Sequence, residues 1–190
     1  PVWNIAHDDQ YDGLVDALLV SRGLTRATLR VGPEVLHPPE LLADMTVAVA
    51  RLERAVKDGE KIVVYGDYDV DGAAAAGLLV NVLGALGLAV DVHIPDRMRD
   101  GYGPNEAALS ALQERGAGLI VTVDCGIAAH GPLEKVAQTG MDVIVVDHHL
   151  AGPELPRAHS VINPNRLDED GAYGHLCAAG VVFILLVSLL

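Results

Sequence analysis

From Lys61 onward, short β-rich apolar runs alternate with segments of helical character, and this alternation restricts the fold more than any other feature of the chain. Candidate strands are Ile62–Gly66, Ala89–Ile94, Leu119–Val123 and Val143–Val146. Candidate helices are Ala73–Leu86, Asn105–Arg115, Gly131–Thr139 and Leu176–Leu190. Runs of this length without polar alternation predict strands buried on both faces. Alternating with helices, they predict an α/β fold: a doubly wound, mainly parallel sheet flanked by helices. Upstream, Tyr11–Arg22 and Glu40–Lys57 carry helical periodicity. In the second of these, Leu41, Leu42, Met45, Val49, Leu52 and Val56 form one stripe, while Arg51, Glu53, Arg54 and Lys57 are expected to face away. Val31–Pro39 holds three prolines and reads as a connector. The expected organisation is an N-terminal helical segment, 1–58, packed on an α/β domain, 59–190.

The residues just past each strand point to chemistry. Asp67, Asp69 and Asp71 come after the first, Asp96 and Arg97 after the second, Asp124 after the third, and Asp147, His148 and His149 after the fourth. In an open parallel sheet these ends share one edge, where ligands bind. Carboxylates this close repel one another, and a bound cation is the usual remedy. Carboxylates mixed with imidazoles suit a transition metal, manganese above others. The plainer reading is a solvated turn with Asp71 capping the next helix, and adjacent histidines on a loop are commonly only solvated. Convergence of all these residues on one edge argues against it. The run Asp67-x-Asp69-x-Asp71-Gly72 also opens like a calcium loop, but the twelfth position, where that loop needs Glu, is Leu78. No Gly-x-x-x-x-Gly-Lys is present, which excludes a P-loop. So many ligands exceed one ion. Two ions about 3.5–4 Å apart, bridged by Asp124, fit better, and phosphoester hydrolysis is the reaction class they imply.

Charge and cysteines bound the alternatives. A formal net charge of −13 argues against nucleic-acid binding by this chain's surface as a whole, although a metal site concentrates Asp locally. The two cysteines, Cys125 and Cys177, are far apart and have no metal-binding spacing, as expected of reduced cytosolic thiols. Cys125 reads as a buried filler, since no motif supplies it with a base. The final apolar run, Val181 to Leu190, is shorter than the roughly 20 residues that a membrane span requires. It reads as a buried helix, and no signal peptide is legible.

In their order these motifs resemble the DHH phosphoesterase superfamily and, within it, the RecJ single-stranded-DNA exonucleases. Asp147-His148-His149 is the motif that names the superfamily. Gly66-Asp67-Tyr68-Asp69-Val70-Asp71-Gly72 is similar to the RecJ form of its first motif; other branches carry His where Asp67 stands. Gly101-Tyr102-Gly103, Val123-Asp124-Cys125-Gly126 and Asn163-Pro164 fall in the RecJ order, as do Arg22-Gly23-Leu24 and the segment Leu36 to Leu42. The resemblance thus runs from near Trp3 to the end of the chain.

The resemblance implies two manganese ions, with magnesium as the alternative. Asp67, Asp69 and Asp124 would hold one, and Asp71, Asp124 and His148 the other. His149, with Asp124 and Asp71, would be catalytic, and His149 and Arg97 would contact substrate. The implied activity is 5′→3′ degradation of single-stranded DNA to mononucleotides, in cytoplasmic DNA repair and recombination. A single-strand-binding protein and a RecQ-type helicase are the implied partners, with no membrane. Residues 59–190 would be the DHH catalytic domain, incomplete at its C-terminal end. The family draws a further metal-binding Asp from beyond the final helix. It also carries a DHH-associated domain and an oligonucleotide-binding barrel, which bring much of the basic surface. The chain alone is therefore expected to bind metal weakly and to show little nuclease activity. Ala73 to Ala76 depart from the family's usual Thr or Ser, without loss of a ligand. Two other functions share the motif set: hydrolysis of small substrates (pyrophosphate, a cyclic dinucleotide, short oligonucleotides) and a catalytically inactive scaffold. Asp67 argues against the first, and the presence of every ligand expected in this span argues against the second.

Overall fold

The computed structural model describes residues 13–29 and 36–190. Trp3, Tyr11 and the connector residues Val31 to Val35 lie outside the described residues. Two compact units divide the chain, Pro1–His37 and Pro38–Leu190. In the first, helix α1 spans Leu14–Val20 and a 3₁₀ turn spans Arg26–Leu29. Arg26 Nε donates to Asp16 Oδ1 at 2.6 Å within this unit.

The second unit holds the sheet. Its strands are β1 (Ile62–Gly66), β2 (Val90–His93), β3 (Leu119–Val123), β4 (Asp142–Val146) and β5 (Ser160–Ile162). They pair in parallel in the order β2-β1-β3-β4-β5. Helices α2 (Met45–Asp58), α3 (Val70–Ala85), α4 (Glu106–Glu114), α5 (His130–Gln138) and α6 (Ala178–Leu189) complete the unit. The second unit thus includes α2 together with the sheet.

Strand periodicity sorts the core into two layers. Ile62, Val64, Val121, Val123 and Ile144 meet Leu52, Leu79 and Leu185 of α2, α3 and α6. Val63, Tyr65, Ile120 and Val145 meet Leu109 and Leu133 of α4 and α5. The chain moves outward from β1 in one direction through α3 to β2, then returns past β1 through α4 to β3. Crossovers of one hand then require α3 and α4 on opposite faces, as found. Among the described residues no helix is long and apolar enough to cross a membrane; α6 is instead buried along Val181, Val182, Ile184 and Leu185.

Several expectations need correction. β2 is an edge strand, so Val92 is 48% exposed rather than buried on both faces. β5, three residues long and beyond β4, carries too short an apolar run to read from sequence. Helix periodicity from Glu40 breaks at Asp44, whose φ is 61°; Pro39–Leu41 form a separate 3₁₀ turn and α2 begins at Met45. Asp44 Oδ2 accepts the Val161 N–H, and Arg166 Nη1 donates to the Val161 carbonyl, which closes the open edge of β5. Arg51 does not face away. It is 4% exposed and donates to Glu60, Asp142 and the Gly118 carbonyl, tying together the amino ends of β1, β4 and β3.

Arg51→Ala strands Glu60 and the start of β4 and is expected to cost about 2–4 kcal/mol. Arg54→Ala removes a half-exposed partner of the same Asp142 and is expected to cost less than about 1 kcal/mol. Urea unfolding of the two variants checks this; equal small losses would refute the clamp.

Candidate active site

The chain order reverses between β1 and β3, and such a point in a parallel sheet opens a crevice beyond the strands' carboxyl ends. Each strand end is pinned by one more ladder bond before the chain turns away. Asp67 N–H donates to the Val123 carbonyl, Asp124 N–H to Val146, and Asp147 N–H to Ile162, at 3.2, 3.0 and 3.0 Å. These bonds carry the three aspartates to adjacent places along the edge.

The turn from β1 into α3 is dictated by Asp69 and Gly72. Asp69 Oδ1 accepts the N–H groups of Asp71 (2.9 Å) and Gly72 (3.0 Å), so Asp69, not Asp71, caps α3. A Cβ at Gly72 would lie 2.5 Å from the Asp67 carbonyl oxygen, so only glycine lets the helix start against this turn. Asp71 points to α6. Its Oδ2 and Oδ1 accept the N–H groups of Ala178 (2.7 Å) and Ala179 (2.9 Å), while Cys177, the residue preceding α6, provides no side-chain cap.

Asp124 is 1% exposed and adopts φ 60°, the left-handed region that a non-glycine residue occupies at some cost. Ligand atoms of Asp67, Asp69 and Asp124 lie within 4.8 Å of one another, as do those of Asp124, His148 and His149. His148 Nε2 stands 3.3 Å from Asp124 Oδ1 and 3.6 Å from Asp71 Oδ2. Burial, then the Asp69 carboxyl and the Asp71 charge, push Asp124 up to about 7. Burial also raises Asp67, while the Gly72 N–H holds Asp69 below its ordinary value. Asp67 Oδ1 and Asp124 Oδ1 have no hydrogen-bond partner among the described residues. Buried oxygens left so are costly, and a divalent cation is the partner that satisfies several at once. Oxygen donors with one or two imidazoles fit manganese or magnesium.

Asp147 is fully buried and plays a different part. Its Oδ1 accepts the N–H groups of His148 and His149 and meets His149 Nδ1 at 2.7 Å; its Oδ2 accepts the Ile127 N–H at 3.0 Å. It therefore orients the histidines and offers no free oxygen to a ligand. Burial opposes charge on His149, but the bond and charge of Asp147 outweigh it and raise its pKa. Asn163 Nδ2 donates to the His149 carbonyl at 2.9 Å, and Asn165 Nδ2 donates to the His148 carbonyl.

Of the residues singled out in the sequence, Asp67, Asp69, Asp71, Asp124, His148 and His149 are brought together. Arg97 sits on the exposed loop after β2, its guanidinium 5.2 Å from the Tyr68 ring centroid, and its charge reaches Asp67. Cys125 is buried and its thiol is pushed well up, chiefly by burial, which makes it inert. Tyr102 was legible only as part of Gly101-Tyr102-Gly103. Its hydroxyl donates to the Asp124 carbonyl at 3.3 Å and its ring meets that of His149 edge-on. The amides of Ala178 and Ala179 leave no sequence signal, because every residue other than proline carries one.

Residues 61–189 match the DHH family, N-terminal domain. The single-stranded-DNA-specific exonuclease RecJ of Bacillus subtilis is 39% identical over 182 residues, covering 93% of this chain and 23% of that protein. RecJ of Escherichia coli is 39% identical over 178 residues, covering 93% and 31%. A crystal structure of exonuclease RecJ bound to manganese superposes with a TM-score of 0.69 at 38% identity, over 78% of this chain and 37% of the other. RecJ from Thermus thermophilus in complex with Mn²⁺ gives 0.69 at 33% identity, over 91% and 24%. The chain thus spans less than a third of the length of these two curated relatives. With the parallel sheet and the clustered Asp and His residues of the motif on its edge, the chain belongs to the DHH family.

Proposed function

We propose that this chain carries the metal-binding core of a phosphodiesterase that degrades single-stranded DNA from its 5′ end, releasing mononucleotides in DNA repair and recombination. The observation that carries the reading is the buried, unpartnered pair Asp67 Oδ1 and Asp124 Oδ1 at the switch point. RecJ relatives, named as single-stranded-DNA-specific exonucleases, support the substrate and reaction. Asp67, Asp69 and Asp124 would hold one divalent ion, and Asp71, Asp124 and His148 would hold the other. Manganese is the proposed ion, with magnesium as its substitute. Bound there, such ions supply positive charge against phosphoryl oxygens and make water more acidic.

The chain's own residues do the rest. His149, fixed through Nδ1 by Asp147, keeps Nε2 for a phosphate or leaving oxygen, and its raised pKa favours the protonated, donating form. Arg97 lies on an exposed loop, free to meet a backbone phosphate. All these residues fall within 59–190, the proposed catalytic domain, with 1–58 as the preceding helical segment. A cytoplasmic location, a single-strand-binding protein and a RecQ-type helicase complete the proposal.

With Mn²⁺, a protein of its relatives' full length that carries this chain is expected to release labelled mononucleotide from 5′-labelled single-stranded DNA, while duplex DNA and pyrophosphate stay intact and a chelator stops the reaction; residues 1–190 alone are expected to show little activity. Cleavage of pyrophosphate alone would move the chain to the small-substrate branch, and no turnover would favour a scaffold. Asp124→Asn is expected to lower the rate at least about a hundredfold, since even partners one step removed from a metal are worth 10–100-fold. In chelator, the same variant is expected to melt above wild type, because it removes a buried repelling charge.

Asp124 and His149 both have folded pKa values above their unfolded ones. Their contribution to stability is present at low pH and is lost as pH rises through those values, for Asp124 through about 7. The metal-free chain should therefore melt lower at pH 8 than at pH 6, by roughly 2–4 °C for each kcal/mol involved. Mn²⁺ competes with the same protons, so it should raise the melting temperature more at pH 8 than at pH 6. An equal Mn²⁺ effect at both values would contradict this assignment of the ligands.

A further inference from the structure

His148 and His149 are held from behind by a turn that the proposed chemistry does not use. The turn, residues 163–166, follows β5. It closes on itself: Asn163 Oδ1 accepts the Asn165 N–H at 2.8 Å, and the Asn163 carbonyl accepts the Arg166 N–H at 3.3 Å. It also meets the histidine loop at three points. Asn165 Nδ2 donates to the His148 carbonyl, Asn163 Nδ2 donates to the His149 carbonyl at 2.9 Å, and the Ala151 N–H donates to the Asn165 carbonyl at 3.3 Å. Asp147 Oδ1 accepts the N–H of each histidine, so three successive peptide groups are tied down, from 147/148 to 149/150. Planar groups held in this way fix φ and ψ between them, and with these the direction of each Cβ. The His149 ring has a further tether, Nδ1 to Asp147. The His148 ring meets the Asp71 and Asp124 carboxylates that it is to join in holding an ion, so its aim depends on its backbone.

The turn is anchored in its own right on the side away from the histidines. Arg166 is buried, and its Nη1 donates to Asp44 Oδ2 at 3.0 Å and to the Val161 carbonyl at 2.7 Å. Three residues on, Glu169 Oε1 accepts the Ala43 N–H at 2.7 Å. A chain of polar contacts thus runs from Asp44, at the start of α2, through Arg166 and the two asparagines to the carbonyls of His148 and His149.

We propose that Asn163 and Asn165 are positioning residues for the two histidines, and that the ion pair of Arg166 with Asp44 sets the place of the turn that carries them. The inference rests on the metal-centre reading above. A carboxamide suits the task because it donates and accepts at once and carries no charge. Asn163 does both, to the His149 carbonyl and from the Asn165 N–H. A Lys or Arg in its place could donate as well, but its charge would oppose a cation held at Asp124 and His148. The guanidinium of Arg166 is instead taken up by Asp44 and Asp168. Partners that orient a metal ligand without touching the ion are worth about 10–100-fold in metal affinity.

The test titrates the full chain with Mn²⁺, following the electron paramagnetic resonance of the free ion, and records the nuclear Overhauser contact between the His148 and His149 rings without metal. These rings lie 4.7 Å apart between centroids. Asn165 is half-buried, so Asn165→Ala removes its donor at little cost to the core. It is expected to weaken Mn²⁺ binding about tenfold or more and to weaken the ring contact. Asp44→Ala should act in the same direction by a smaller factor, and should add nothing in the Asn165→Ala background, since both act through one turn. Arg51→Ala, at the other end of the sheet, should lower the melting temperature and leave Mn²⁺ affinity and the ring contact as in wild type. Unchanged Mn²⁺ affinity and ring contact in Asn165→Ala overturns the positioning role, and so does an equal loss of affinity in Arg51→Ala, which would mark instability as the cause. Additive effects of Asp44→Ala and Asn165→Ala, or a folded Asp44→Ala that behaves as wild type, overturns the anchoring by Arg166 and Asp44. Absence of Mn²⁺ binding by the wild type would overturn the metal reading instead; the ring contact then still decides the positioning role.

Discussion

Repulsion among buried carboxylates at the carboxyl ends of β1 and β3 is the constraint on which the rest of this structure turns. Asp67 and Asp124 are buried, Asp69 lies beside them, and burial with mutual repulsion drives Asp124 toward neutrality. Hydrophobic packing on both faces of the sheet is what holds them there, since the strands that carry them are buried along their whole length. The left-handed backbone at Asp124 has the same origin: the chain must turn sharply after its last ladder bond to aim this carboxyl at its neighbours. Strain and charge thus collect at one point, and a sheet with a smaller core would not hold them.

The opposite end of the sheet shows that the fold can neutralise acidic groups when it needs to. There Glu60 and Asp142 receive the buried guanidinium of Arg51, and along the open edge of β5 Asp44 receives that of Arg166. Among the described residues no buried guanidinium is built into the Asp67, Asp69 and Asp124 group; His149, whose charge acts on all three, is exposed, and Arg97, which acts on Asp67, rests over Tyr68. One edge is therefore neutralised by the chain itself and made stable. The other leaves its charge for something that the chain does not supply. The difference separates a structural acidic cluster from a functional one more sharply than the number of carboxylates does.

How much of this was legible in the sequence depends on how local each signal is. β1, β3 and β4 are short apolar runs with a polar stop, so both their place and the acidic residues after them could be read directly. The burial of Arg51 could not, because an arginine on a polar helix stripe looks the same whether it meets solvent or the acidic groups Glu60 and Asp142, nine and 91 positions away. Asp69 and Asp71 illustrate the same limit within two residues. Periodicity places a helix after Gly72, but the amide bonds to Asp69 move its start to Val70 and reverse the expected capping role. β5 escaped because three residues carry no period.

Asp71 shows why the site and the fold cannot be separated. Released from capping its own helix, its carboxylate holds the first amides of α6, 107 positions away, while His148 stands 3.6 Å from the same oxygen. A helix that begins without a cap of its own needs an acceptor there, and a carboxylate is the best one available. The seating of α6 on α3 therefore fixes where Asp71 points, and any charge that draws Asp71 also acts on α6. The small residues at the start of both helices make this contact close enough to work: Ala75 and Ala76 on α3 and Ala178 on α6 are buried where a larger side chain would hold the helices apart. Ala73 and Ala74 face outward, while Ala75 and Ala76 join Val181 and Val182 of α6 in one cluster, so the helix that carries Asp71 is packed on the helix whose first amides it holds.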